Sequence, residues 1–348
     1  DQNSRISLSN NDGNSNNTVF GKNALTNAGT VLGNVGADFN VAIGEDAMGT
    51  GTNLAATYNT AVGYKALEDI TIGDYNTAFG PQALANVVDG DSNIGIGINA
   101  GYGITTGDNN ICIGNSAGDV FDGESDNVII GHSALTTGTA IADAVIIGSG
   151  AVSTGDTNTD ASGTVAIGKS ALAALTSGSQ NTAVGYNSLP AVTSADYNTA
   201  LGYNAGQDCT GGANVYIGRS AGRNVVAGEA NVVIGSAAMD DTSAGGNAEA
   251  SSQNVFIGYL TGGGTWANTQ TDSCVAIGST VMAGALDNVD GTVAIGASAL
   301  NALTSGEGNV AVGFEALTTE DDGDSCTAVG YHALKLQTGV SGNVANTA

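Results

Sequence analysis

Carboxylates gather at the glycine-rich turns of this sequence, in Asp89-Gly-Asp91, Asp122-Gly-Glu124 with Asp126, Asp240-Asp241, Asp287 with Asp290, and Glu320-Asp321-Asp322-Gly-Asp324. Hard oxygen ligands beside glycine suit calcium, which makes Asp321, Asp322 and Asp324 weak metal candidates. The spacing matches neither an EF-hand loop nor the nonapeptide calcium repeat. Paired carboxylates could also hydrolyse a glycosidic bond, but that chemistry needs two groups held at a fixed separation across a cleft. Carboxylates on turn after turn are read instead as solvated, with no enzymatic activity and no cofactor expected. His132 and His332 lie far apart, each close after a repeated glycine, and form no metal or nucleophile pattern. Cys112, Cys209, Cys274 and Cys326 lack the paired spacing of a zinc site or disulfide framework and are read as small buried thiols. Serines occur without the GxSxG context, and the glycine-rich stretches lead into no helix.

Aromatic residues carry more information. Tyr64, Tyr186, Tyr203, Tyr259, Phe314 and Tyr331 each follow directly on a glycine that ends a recurring phrase. Rings at one position of a repeat would stack coil upon coil, Tyr186 on Tyr203 and Phe314 on Tyr331, and aromatic rings anchor interfaces and sugar faces. The only tryptophan, Trp266, falls in a long turn at 259–273 beside Gly262, Gly263 and Gly264. Long turns also occur at 22–39 and 236–253. A turn longer than its siblings is where a repeat array commonly gains specificity. Trp266, Tyr259, Tyr186, Tyr203, Phe314 and Tyr331 are therefore the receptor-contact candidates.

The phrase that positions these residues is Asn, Thr or Val, a small residue, Ile or Val, then Gly, here numbered 1 to 5. NTAVGYNSL at 181–189 returns as NTALGYNAG at 198–206, and the phrase recurs eighteen times. Its glycines include Gly44, Gly63, Gly80, Gly185, Gly202 and Gly296, running from Gly21 to Gly330, and most steps are 17 residues. A fixed period of this size means stacked units rather than separate globular domains.

Composition agrees with that reading. Fifty-four glycines, two prolines, 5% aromatic and 11% charged residues exclude a conventional core, while 41% hydrophobic content argues against disorder. The net charge of −26 disfavours nucleic acid and anionic membranes. No apolar run is long enough to span a bilayer, so no membrane insertion is expected, and the first residues, DQNSRISLSN, do not resemble a signal peptide.

Alternation at period 2 makes positions 1 to 5 a short strand. Positions 2 and 4, such as Val41 and Ile43, are expected to face the interior together with Leu at position 9. The Ala and Gly of positions 3 and 5 would then form the opposite face, covered by identical chains. Glycine at position 5 marks a corner with positive φ, or an approach too close for a Cβ. Asn at position 1, as in Asn40, Asn181 and Asn198, suits irregular backbone and can satisfy turn groups or form a ladder with the Asn one coil away. An outward Asn/Thr array that orders water, as on an ice-binding solenoid, is the alternative; the Thr at position 2, read as inward, argues against it. The expected fold is all-β, a parallel β-roll or β-solenoid of about eighteen 17-residue coils. Residues 1–16 form a lead-in, 17–334 the array, and 335–348 a degenerate last coil or a continuation cut short. Asn343 would open a nineteenth copy in which Thr347 replaces the glycine.

NVAIG at 40–44, TVAIGKSAL at 164–172, CVAIGSTVM at 274–282 and TVAIGASAL at 292–300 resemble the repeat of trimeric autotransporter adhesin heads. NTAVGYKAL at 59–67, NTAVGYNSL at 181–189 and CTAVGYHAL at 326–334 are even more similar to repeats of bacteriophage and phage-like tail fibres. The resemblance covers about residues 17–334 and implies a left-handed roll, a homotrimer with its axis along the fibre, and an extracellular place on a virion tail or cell surface. The adhesin period is usually shorter than 17, and neither a heptad stalk nor anchor strands are present in this sequence, which favours a tail-fibre segment over an adhesin head. The implied function is attachment to a cell-surface glycan or protein receptor. The alternatives of another class are a polysaccharide depolymerase and the ice-binding solenoid.

Overall fold

The computed structural model describes residues 5–7, 16–26, 36–50, 55–137, 141–155, 161–241, 250–267, 269–338, 342–343 and 346–348. They fall into two compact units, Asp1–Ser170 with Ala174–Ser179 and Ala171–Ala173 with Gln180–Ala348. Each unit is a parallel β-solenoid with a period near 17 residues, and no α-helix occurs among the described residues. Every motif copy forms one short strand. The first unit holds nine, from Thr18–Gly21 to Val165–Ile167, and the second nine, from Thr182–Val184 to Thr327–Val329.

Register follows the motif. Thr60, Ala61 and Val62 lie opposite Thr77, Ala78 and Phe79, and in the second unit Val275, Ala276 and Ile277 lie opposite Val293, Ala294 and Ile295. Equivalent side chains therefore stack on one another in columns. Arg5–Ser7 runs antiparallel along the first of these strands, with Ile6 opposite Phe20, and covers its otherwise open edge. At the other end, Thr347 bridges Thr327 in parallel, and Asn346 accepts the Thr327 N–H at 2.7 Å. Asn343 lies opposite Asp324 instead. The last copy thus begins at Asn346, so that 346–348 repeats the Asn-Thr-Ala of 181–183. This corrects the expected start at Asn343: the preceding turn absorbs three extra residues without disturbing the strand register.

The faces of the strand are the reverse of the expectation. The middle residue is buried and its neighbours are half-buried or exposed, as in Thr60–Val62 and Val165–Ile167. Position 3 is the interior, with Ala61, Ala78, Ala166 and Ala183 fully enclosed, whereas positions 2 and 4 look outward. The cause is space. A Cβ on Gly95, at position 3, would lie 2.7 Å from Leu84 Cγ and 2.9 Å from the Ala100 carbonyl, so the leucine of position 9 already occupies the width of the coil. Small residues fit most coils there, Ile129, Ile146 and Val233 are accommodated in three, and the β-branched residues of positions 2 and 4 face outward. The core is completed by Ala at position 8 and by apolar residues three places beyond position 9, such as Ile70, Val87, Ile104 and Leu175.

Two coils carry an aromatic ring at position 3 and a glycine at position 9. Tyr216 lies between Gly206 and Gly222, and a Cβ on either glycine would overlap its ring; Phe256 similarly occupies the space that a side chain on Gly262 would need. In these two coils the glycine at position 9 makes room for the ring, whereas Ile129 at position 3 shares its coil with Leu135. Positions 8 and 9, as in Ala66 and Leu67, lie in a turn.

Four corners shape the coil from Tyr58 onward. Gly63 has φ 142°, and Tyr58, Lys65 and Leu67 sit at φ 59°, 57° and 51°. Left-handed backbone costs a side-chain-bearing residue about 1–2 kcal/mol. Hydrogen bonds between coils offset it at the corners themselves: Tyr58, Lys65 and Leu67 donate their N–H groups to Asp38, Glu45 and Ala83 at 3.2, 3.0 and 3.1 Å. The conformation is therefore stable only in a stack.

Candidate functional site

The repeat presents two columns of exposed rings. At position 6, immediately after the corner glycine, Tyr186 stacks on Tyr203 at 5.3 Å and Phe314 on Tyr331 at 5.5 Å, all four exposed, as is Tyr259. The second column lies on the left-handed corner just before the buried Asn. Phe39, Tyr58 and Tyr75 stack there at 4.8 and 5.2 Å with planes within 5° of parallel, and Tyr197 holds the same place in the second unit. Sequence reasoning missed this column, although Phe-Asn at 39–40 and Tyr-Asn at 58–59, 75–76 and 197–198 spell it out.

Trp266 must be removed from the receptor-contact candidates. Its side chain is fully buried, its ring packs against Phe256 at 5.7 Å, and its Nε1 donates to the Gly262 carbonyl at 2.8 Å. The long turn folds this large side chain inward beside the ring of Phe256. Of the other long turns, residues 27–35 and 242–249 lie outside the described residues.

Many of the acidic turns support backbone. Asp91 Oδ1 accepts the N–H of Asp74 at 2.7 Å, Asp290 that of Asp272 at 2.7 Å, Asp287 that of Thr269 at 3.2 Å, and Asp324 that of Glu307 at 2.9 Å, each donor lying one coil earlier. Asp240 pairs with Arg223 at 2.9 Å. Of the calcium candidates, Asp321 and Asp322 come together with Glu320, their carboxylate oxygens within 4.8 Å of one another, while Asp324 is turned to Glu307. Glu320 is buried, with its oxygens accepting from Gly323 N at 2.8 Å and Gln337 Nε2 at 2.9 Å, so much of its lone-pair capacity is already used. Calcium takes six to eight oxygens, and these three residues offer few.

The four cysteines are buried in separate coils. Burial raises the Cys209 thiol to about 11 and the Cys274 thiol to about 12, far from the reactive thiolate range. His332 meets Glu315 at 3.1 Å, and Lys335 also contacts that carboxylate. Hydrogen bonding by Lys335 holds Glu315 below its ordinary value.

The corner glycines and position-1 asparagines form the frame beneath the rings. Gly44, Gly63, Gly80, Gly185, Gly202 and Gly296 all have φ between 126° and 142°, and a Cβ on each would collide with the backbone of the next coil's glycine. Asn40, Asn181 and Asn198 are fully buried, and Asn181 Oδ1 accepts the Asn198 N–H at 2.9 Å.

Two hollows open beside the turns, one lined by Thr269, Asp287, Glu307, Asp322 and Asp324, the other by Asp196, Tyr197, Thr210, Ala213 and Glu229 among others. No described helix is long and apolar enough to cross a membrane. No family model matches the sequence, and no curated protein matches it.

Proposed function

We propose that this chain is a structural fibre segment that assembles as an extracellular homotrimer and attaches to a cell-surface glycan or protein. A phage or phage-like tail fibre is the best-fitting setting, with a trimeric bacterial surface adhesin head as the nearest alternative. The observation that carries this reading is the outward face of the strands. Val, Ile and Thr at position 2 and Val, Ile, Phe and Leu at position 4 form adjoining columns, with Phe79, Ile96, Leu201 and Val329 among the exposed members. Contiguous apolar surface of this kind marks an association site. Around a three-fold axis, the same columns of three identical chains can be buried together, and the rotation closes the assembly.

Sedimentation of the purified chain should return three chain masses, and Leu201→Asp should weaken that assembly. A monodisperse, folded monomer would remove the argument. Attachment is tested by binding of the assembly to intact bacterial and animal cells. Release of oligosaccharides from capsular or lipopolysaccharide glycans would instead make the protein a depolymerase.

One observation favours a second reading. Thr60, Thr77, Thr182 and Thr199 lie on the outward face, so the inward-threonine objection to an ice-binding solenoid no longer holds. Thermal hysteresis in a freezing assay would support that function over attachment.

A further inference from the structure

We propose that Tyr197 and the hollow beside it form a subsite for one neutral pyranose ring of a glycan. The inference names a ligand class for the attachment reading and takes its biological setting from it. Its chemistry can be tested separately.

At the corner before the buried Asn, the first unit fills successive rungs with Phe39, Tyr58 and Tyr75, whose faces cover one another. In the second unit the corresponding rungs run Gln180, Tyr197, Ala213 and Ala230, all at φ between 54° and 63°. The ring of Tyr197 is followed by two methyl groups. Tyr197 is 60% exposed, and Ala213 and Ala230 are exposed as well, so a rung-sized space adjoins the tyrosine. It belongs to an open hollow of about 460 Å³, within the size range of small-ligand sites.

The lining selects the occupant. A flat ring entering at the level of Ala213 would meet Tyr197 at about the 5 Å rung spacing that stacked rings adopt. The negative face of the aromatic ring attracts the polarised C–H groups on the face of a pyranose. The rim is polar, with Asp196 and Glu229 carboxylates and the Thr210 hydroxyl, which match the hydroxyl donors around a sugar ring. Two carboxylates, on a chain of net charge −26, disfavour uronic and sialic acids, so the sugar is neutral.

The test is saturation-transfer NMR on the intact protein with a panel of methyl hexopyranosides and with N-acetylneuraminic acid as the anionic comparison. At least one neutral glycoside should show transfer, with N-acetylneuraminic acid giving none. Tyr197→Ala should weaken binding at least tenfold. Ala213→Tyr should do the same by filling the rung with the protein's own ring, while stacking preserves the fold; its melting curve verifies this. Absence of transfer from every neutral glycoside, or transfer that persists in both variants, would overturn the subsite. Cell adhesion is scored apart: sugar binding without adhesion would sink the attachment reading and leave the subsite standing.

Discussion

Asn59 holds two coils together through one buried amide: its Oδ1 accepts the backbone N–H of Asn76 at 2.8 Å, and its Nδ2 donates to the Gly73 carbonyl at 2.8 Å. Asn76 repeats the arrangement toward Asn93 and Gly90. The column of asparagines thus satisfies turn groups that water cannot reach. Each buried group left unpaired costs about 1–3 kcal/mol. Asn59→Leu should therefore lower stability by several kcal/mol in urea unfolding; a midpoint shift near zero would show that the amide is dispensable.

The corner glycines differ in what they tolerate. Gly185 has φ 141°, and a Cβ there would overlap the Gly202 carbonyl, whereas Gly291, at φ 66°, has nothing within 4 Å of an added Cβ. Gly291→Ala should cost only about 1 kcal/mol for left-handed backbone. Gly185→Ala should cost several times more, and Gly185→Val should disrupt the coil. Equal melting temperatures for the two alanine variants would refute the close-approach argument.

Burial of Trp266 reassigns its role from contact to core. Trp266→Ala should destabilise the second unit by about 3–5 kcal/mol and leave cell attachment per folded molecule unchanged. As the only tryptophan, it reports directly on this: fluorescence of the native protein should be blue-shifted and poorly quenched by iodide. Red-shifted, readily quenched emission would return it to the surface.

Partial burial raises Asp119 above its ordinary 3.8, with a hydrogen bond from Ser116 opposing the shift. A carboxyl with a raised folded value binds its proton more tightly when folded, so its contribution to stability falls as pH rises through the interval above 3.8. Asp119→Asn should therefore raise the melting temperature at neutral pH, with the gain shrinking as pH is lowered toward 3.8. A gain independent of pH would point to a cause other than the charge.

The sequence by itself determined the period, the strand in each copy and the conformational demand at the corner glycine. These depend on local alternation and on a backbone angle that side chains resist, and eighteen repetitions average out local noise. It also located the position-6 ring pairs, since equal phase in the repeat places residues in one column. Which face of the strand turns inward was decided only by the tertiary structure. Alternation separates Val41 and Ile43 from Ala42 but carries no measure of coil width, and the width is fixed by leucines such as Leu84 reaching across from a distant corner. Trp266 followed the same logic: an amphipathic ring beside three glycines reads as exposed until the space next to Phe256 is known. The last coil depended on pairing as well, because Asn343 and Asn346 are equivalent letters until Thr327 finds its partner in Thr347. The gap beside Tyr197 likewise exists only between stacked coils, where residues 16 and 17 places apart in the chain become adjacent rungs.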